Sequence, residues 1–404
     1  MLSTKTTTQQ RQMSRKKASK SPLEGEFPTL AVREVSQTLS RWFVLNARDL
    51  PWRRARTPWG ALVSEVMLQQ TQLARVVEYW PAFMKRFPSP KKLAGSDESV
   101  ALAAWEGLGY YRRVRLLRAA AAEIVQEHSG ETPSDRVALE ALPGVGRYTA
   151  GAVASIVSGH TEAIVDANVA RVFLRIGGVE RAANDRAVMR WCWSQAERFA
   201  ESSAKPGVAN EALMEFGGRI CTPKAPRCSE CPLQKRCKAY ADESVANIPV
   251  PKQKAARVRV YMAVALAMDA RSVVLEQRGA KGMWGSMWQP PSIETAKPIT
   301  RSSAAKALGV SVHSLRARET FTFHATHREI VFQIYDASLA PSKFPPHRET
   351  TRGDALPRVV VGVREISSHA MSSPMRALFS RIRLDTTAAS CVQASAPRVT
   401  AVPR

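Results

Sequence analysis

Four of the six cysteines of this 404-residue chain fall within seventeen residues, as Cys221-x6-Cys228-x2-Cys231-x5-Cys237. Such a compact all-sulfur set suits Zn²⁺ or an iron–sulfur cluster in a reducing compartment. Structural zinc usually takes two close cysteine pairs, and only one pair here has that spacing. Loops of six, two and five residues are more natural around a cube with four corner irons. Pro223, Pro226 and Pro232 punctuate the turns and argue against four unrelated buried thiols. Cys192 and Cys391 fall outside the pattern and read as ordinary residues. Two carboxylates also stand in chemically suggestive surroundings. Glu65 lies among Val63, Val66, Met67 and Leu68, either on a solvated face or in an apolar pocket. Burial raises a carboxyl's pKa and keeps a proton available near neutrality, as a general acid requires. Asp166, before Ala167-Asn168-Val169-Ala170, reads as a helix N-cap worth about 1 kcal/mol. The run Leu142-Pro143-Gly144-Val145-Gly146-Arg147-Tyr148-Thr149 leads into a helical pattern at Ala150, Val153, Ala154 and Val157. Its glycines permit a tight turn, and the helix start aims free N–H groups outward, where a phosphate fits.

The elements that must position these groups follow from periodicity. From about 30 to 240 the period is helical, as in the stripe Val76, Val77, Trp80, Phe83, Met84 and Phe87, with Pro81 predicting a kink. Leu117, Ala120, Ala121 and Ile124 repeat the pattern. From Val258 to Met268 the period becomes two. Asp269–Ser272 reads as a turn with Val273–Gln277 as the returning strand, and Ile330, Phe332 and Ile334 mark another strand. The expected organisation is a disordered basic arm over 1–26, a mostly α region over 27–240 and a proline-stiffened linker over 241–257. A smaller α+β domain follows over 258–383, with 341–357 as a surface loop and a frayed tail over 384–404.

Composition narrows the partner. A net charge of +24 points to a polyanion. Hydrophobic residues make up 45%, enough for a packed core. The apolar run from Val260 to Met268 is nine residues, less than half a membrane span, and the first twenty residues show no signal peptide.

The cysteine spacing resembles the [4Fe-4S] loop of the endonuclease III superfamily of DNA glycosylases, decorated here by Lys224, Arg227, Lys235, Arg236 and Lys238. Gly144, Val145 and Gly146 resemble the hairpin of that superfamily's helix-hairpin-helix, and the Asp166 segment resembles its catalytic aspartate motif. Ser64-Glu65-Val66-Met67-Leu68-Gln69-Gln70-Thr71-Gln72, Leu50-Pro51-Trp52-Arg53 and Trp105-Glu106-Gly107-Leu108-Gly109-Tyr110-Tyr111 are similar to the MutY-type adenine DNA glycosylases. The resemblance runs from about Leu30 to Tyr240 and resumes in the last domain. It implies a helix-hairpin-helix glycosylase fold followed by a Nudix-like domain.

The resemblance also implies roles. Glu65 protonates a flipped adenine at N7, Asp166 stabilises the sugar cation, and Tyr148 and Asn168 orient the sugar and the intermediate. Trp52, Arg53 and Leu68 line the base pocket, and Arg48 joins the DNA contacts. Gln70, about 140° round a helix from Glu65, fills the space left by the base, while Leu108 and Tyr110 press on the opposing 8-oxoguanine. Lyase relatives carry a Lys directly after the hairpin, where this chain has Tyr148, and a phenol forms no imine. A monofunctional hydrolase is expected, with one [4Fe-4S] cluster per chain on Cys221, Cys228, Cys231 and Cys237.

Gly282-Met283-Trp284-Gly285-Ser286-Met287-Trp288 resembles the glycine-tryptophan segment of the Nudix-like domain that ends MutY proteins. Residues 301–309 lack the glutamates that hold Mg²⁺, so this domain is expected to bind rather than catalyse. Its family reads 8-oxoguanine through a Phe-Ser-His loop, matched here by His324-Ala325-Thr326-His327. Thr326 and His327 are the expected readers; the plainer reading of His324 and His327 is strand-end surface.

The expected substrate is adenine opposite 8-oxoguanine or guanine in duplex DNA, acted on by a monomer with no membrane association. The compartment would be the cytoplasm in a bacterium, and otherwise the nucleus or mitochondrion. The alternatives are a T·G mismatch thymine glycosylase, which normally lacks the last domain, and a non-catalytic iron–sulfur DNA-binding module.

Overall fold

The computed structural model describes residues 27–251, 256–325, 327–349 and 355–382. The expected arm over 1–26, the tail over 384–404 and Thr326, one of the two expected readers of the opposing base, lie outside them. The helices are α1 (Val32–Asn46), α2 (Pro51–Arg54), α3 (Pro58–Leu68), α4 (Leu73–Arg86), α5 (Pro90–Ala94), α6 (Glu98–Ala104) and α7 (Arg112–Glu127). They continue with α8 (Arg136–Ala141), α9 (Arg147–Ile156), α10 (Ala167–Gly177), α11 (Arg186–Glu201), α12 (Pro206–Arg219) and α13 (Lys238–Ala241). Then come β1 (Val258–Leu266), β2 (Ser272–Gln277), β3 (Trp288–Gln289), β4 (Ser292–Thr295) and α14 (Arg301–Leu308). The last are β5 (Leu315–His324), β6 (Arg328–Ala337), β7 (His347–Glu349) and β8 (Ala355–Gly362). Residues 373–382 are also helical. No helix among the described residues is long and apolar enough to cross a membrane.

The chain divides into two compact units that cut across the boundaries expected from composition. One is drawn from Met1–Asp49, Ser134–Ala141 and Val145–Lys252. Its core gathers Leu39 and Phe43 of α1, Val169, Val172 and Phe173 of α10, Trp191 and Phe199 of α11, and Leu213 and Phe216 of α12. The period-3.6 stripes merge here, and each buried Phe or Leu contributes roughly 1.5–3 kcal/mol.

The other unit is drawn from Leu50–Pro133, Leu142–Gly144 and Gln253–Arg404. In its helical part Leu62 and Met67 of α3, Phe83 of α4 and Leu117 of α7 are buried with Trp105, whose ring meets Phe83 edge-on at 5.5 Å. Helix α4 runs on through Pro81. The rest of the unit holds two four-stranded sheets, ordered β4-β1-β6-β5 and β3-β2-β8-β7, antiparallel except for β1 against β6.

One expectation holds only at its start, and another is corrected. The turn at Asp269–Ser272 exists, with Asp269 Oδ1 accepting from Arg271 N and Ser272 N, and the chain does turn back there, Met268 bridging Val273 antiparallel and Val274 N donating to Ala267 O at 2.9 Å. Beyond that bridge β2 leaves the sheet of β1. Strand β1 already has β4 and β6 on its two edges and is buried on both faces. Met262, Val264 and Leu266 face one core, while Ala263, Ala265 and Ala267 pack near Ala304, Ala305 and Leu308 of α14. With no free edge left, β2 begins the second sheet. The proline-rich stretch 341–357 is not a plain loop, because β7 and the start of β8 lie in it. Arg358 of β8 stands in register with Glu276 of β2, and the two form a buried ion pair at 2.9 Å.

Candidate functional site

Helix α3 begins with Thr57, whose hydroxyl accepts from Gly60 N at 3.0 Å, and with Pro58 in its first turn, both favourable at a helix start. The helix carries Glu65 into the interior at 7% exposure, beside Leu62, Val63, Val66 and Met67. Of the two surroundings expected for this carboxyl, the solvated face is excluded. Trp52 and Arg53 of α2 are half-buried, with the Trp52 ring edge-on to Trp80 at 6.1 Å. Leu68 is half-buried at the end of α3.

The helix stops at Leu68, so Gln70 does not sit about 140° round the helix from Glu65, as its spacing predicted. Gln70 occupies an exposed turn with φ 58°, a left-handed conformation that costs a side-chain-bearing residue roughly 1–2 kcal/mol. The turn leaves its side chain exposed.

A second turn precedes α7. Gly107 (φ 93°), Gly109 (φ 69°) and Tyr110 (φ 48°) are left-handed, which leaves Leu108 buried and Tyr110 44% exposed. Arg113 ties the two turns together. Its Nη1 donates to the carbonyls of Val66, Met67 and Gln69, and its Nη2 to Leu108 O, Gly109 O and Thr71 Oγ1, over 2.5–3.1 Å. All six acceptors are neutral. Burial, outweighing the nearby Tyr110, lowers the guanidinium to about 10.

In the other unit Asp166 caps α10. Its Oδ1 accepts from Val169 N at 2.7 Å and its Oδ2 from Asn168 Nδ2 at 2.7 Å. Asn168 Oδ1 in turn accepts from Arg171 Nη2 at 3.1 Å, and Arg171 Nε donates to Cys221 O at 2.8 Å. One polar chain therefore runs from the carboxylate to the first cysteine of the loop. Arg48 forms a two-point ion pair with Glu215, at 2.6 and 3.1 Å, whose side chain is 2% exposed. Gly146 starts α9 without a side-chain cap, beside buried Val145, and Tyr148 lies half-buried on that helix, its hydroxyl 3.9 Å from Met214 Sδ. Gly144, which belongs with Leu116 to the unit that holds α3, has φ 77° and leaves no room for a side chain, since a Cβ would sit 2.7 Å from Leu116 Cβ.

Cys221, Cys228, Cys231 and Cys237 line one recess, together with Val172, Phe216 and Leu233. No three His, Cys, Asp or Glu side chains among the described residues converge closely enough to hold a single metal ion. Arg175 Nη1 approaches Cys221 Sγ at 3.5 Å, and burial pushes the Cys231 thiol up to about 12.

In the sheets His327 and His324 are exposed and Ala325 is half-buried. The aromatic nearest that turn is Phe323, whose ring lies 5.9 Å from Trp284. Sequence reading missed Arg113, Arg171, Arg175, Glu215 and Phe323. The spacing of Arg171 and Arg175 on one face of α10 was the available signal; the others had none.

A model of the HhH-GPD superfamily of base excision DNA repair proteins matches residues 63–198, and a NUDIX domain model matches 262–381. Fold and site thus define a base-excision-repair protein of the helix-hairpin-helix class with a Nudix domain behind it. The adenine DNA glycosylase of Buchnera aphidicola subsp. Schizaphis graminum is 30% identical over 261 residues, covering 64% of this chain and 75% of that protein. The one from Buchnera aphidicola subsp. Baizongia pistaciae is 31% identical over 254 residues, 62% of this chain and 72% of that protein. The human adenine DNA glycosylase is 41% identical over 211 residues, 50% of this chain. The chain belongs to the adenine DNA glycosylase family. It spans 38% of the length of the human relative and 45% of the mouse relative.

Proposed function

We propose that this chain is a monofunctional adenine DNA glycosylase that hydrolyses the N-glycosidic bond of adenine opposite 8-oxoguanine or guanine in duplex DNA. The observation that carries this reading is the contrast between two carboxyls in family motifs, Glu65 closed off from water and Asp166 accepting N–H bonds on both oxygens.

Glu65 gives its proton to adenine N7. The bond from C1′ to N9 then breaks, its electron pair leaves with the base, and adenine departs neutral. Asp166 remains a carboxylate and stabilises the oxocarbenium-like sugar, with Asn168 holding its Oδ2. Water adds at C1′ and loses a proton, leaving an abasic site. Tyr148 offers no amine, and no Lys occurs between Lys92 and Lys205, so strand cleavage does not follow. Trp52, Arg53 and Leu68 receive the base; Gln70, Leu108 and Tyr110 press into the duplex; Arg48 and the turn Gly144-Val145-Gly146 engage the backbone. Thr326 and His327 read the opposing base.

Cys221, Cys228, Cys231 and Cys237 would hold one [4Fe-4S] cluster, a fit supported by four thiols around a single apolar recess. When bound, the cluster supplies a structural clamp on the basic loop and a counter-charge for the thiolates.

Single-turnover assays on A·8-oxoguanine, A·G and T·G duplexes test the reading. Free adenine from the first two, with the strand intact before alkali, is the expected result. Thymine release, or nicking without alkali, overturns it.

A further inference from the structure

Within the unit that holds both α3 and the sheets, the C-terminal part is fastened to the segment leading into α7 at three places. Arg376 makes a two-point ion pair with Glu106, at 2.5 and 2.6 Å. Tyr111 Oη donates to Met371 O at 3.3 Å, and Arg115 donates to Gly285 O, next to Trp284. Trp284 itself has φ 58°, and its ring stacks on Phe332. Arg376 is anchored on its own side by bonds to the carbonyls of Ile366 (2.9 Å) and His369 (2.7 Å). Glu106 immediately precedes Gly107-Leu108-Gly109-Tyr110, the turn that Arg113 clasps to the end of α3.

We propose that the Glu106–Arg376 pair is a specificity latch, through which the C-terminal sheets set the turn Gly107–Tyr110 and, by way of Arg113, the helix carrying Glu65. This rests on the reading of the chain as an adenine glycosylase that distinguishes the opposing base. Three features support a positioning role. The pair is about a quarter exposed, 26% and 24%, so it adds little to global stability. Its two-point geometry fixes orientation rather than mere proximity. The turn it adjoins holds Tyr110 left-handed, a conformation that persists only where neighbours impose it. A base contact sensed by the sheets therefore has a short rigid route to the acid: Arg376, Glu106, the turn, Arg113, α3. Glu106 and Arg376 are positioning residues and touch no substrate.

The test uses the full chain with its cluster and compares single-turnover adenine release on A·8-oxoguanine and A·G duplexes. Glu106→Gln and Arg376→Gln are each expected to lower the ratio of the two rates about fivefold. The A·G rate should stay within about twofold of wild type. Glu106→Arg and Arg376→Glu lower the ratio further, and combining them recovers part of it, which a merely structural role would not produce. Hydrogen exchange of peptides covering 105–112 should quicken in Glu106→Gln without global unfolding. A wild-type chain that discriminates, with the ratio unchanged in both Gln variants, overturns the latch alone. A wild type that releases no adenine overturns the functional reading as well.

Discussion

The surroundings of Asp166 and Glu65 differ as their tasks would require. Around Asp166 the polar groups are connected: Val169 N and Asn168 hold the carboxylate, and Arg171 links Asn168 to the cysteine loop. Around Glu65 the neighbours are Leu62, Val63, Val66 and Met67, and the nearby polar wiring, through Arg113, grips backbone carbonyls of the helix. A carboxylate that must stay charged needs donors on its oxygens, whereas a carboxyl that must deliver a proton needs water kept away. One side is built from local side-chain hydrogen bonds, and on the other the carboxyl is buried along an apolar stretch of helix. Substitutions should therefore fail differently on the two sides.

The largest effect is expected at Glu65. Glu65→Gln keeps the shape and loses the proton, so adenine release should fall by about 10³-fold or more while duplex affinity changes little. Near-normal single-turnover rates would remove Glu65 from the role of acid. Asp166→Asn should cost about 10²–10³-fold, the usual penalty for losing one electrostatic stabiliser of a transition state. It should also loosen the start of α10, because an amide cannot accept from both Val169 N and Asn168 on equal terms. An Asn variant as stable and as active as wild type would reduce Asp166 to a helix cap.

The cysteine side gives a broader and smaller effect. Cys231→Ser should lose iron and visible absorbance, weaken DNA binding roughly tenfold and speed proteolysis of the 221–241 region. Segments 58–68 and 105–115, in the other unit, should keep their protection. Stoichiometric zinc with no iron in freshly purified wild-type protein would overturn the cluster assignment.

The smallest effect concerns the seam at Tyr111. Burial first, and then Glu106, push the Tyr111 phenol up to about 12 from an ordinary 10. The folded chain therefore holds a proton that the unfolded chain releases between these values. Stability from this group is complete below pH 10 and lost as pH rises toward 12, at about 1.4 kcal/mol per pH unit. Urea midpoints measured from pH 9 to 11 should fall more steeply for wild type than for Tyr111→Phe. Parallel curves would mean that the phenol is not protected at the seam.

Much of the chemistry was legible in advance, and for local reasons. Four cysteines in seventeen residues, the Gly144-Val145-Gly146 turn and Asp166 before a helical run are short-range patterns, and their geometry is governed by the few residues around them. The change of period near Val258 separated helices from strands by the same local logic. Gln70 was misplaced because helix length depends on where α3 runs out of partners, which no spacing reports. The return of β2 after Ser272 was legible, but its departure into a second sheet was not, because edge availability belongs to the whole sheet, and β4 and β6 had taken both edges of β1.

By itself the sequence singled out the side chains proposed to carry the chemistry: Glu65, Asp166, Tyr148 and the four cysteines stand out by type and spacing. Only the tertiary structure decided the burial of Glu65, the link from Arg171 to Cys221 O, and the carbonyls gathered by Arg113. Those depend on contacts between residues far apart in the chain, as does Glu106 with Arg376, 270 positions away. Long-range pairing is set by packing, and packing is a property of the folded whole.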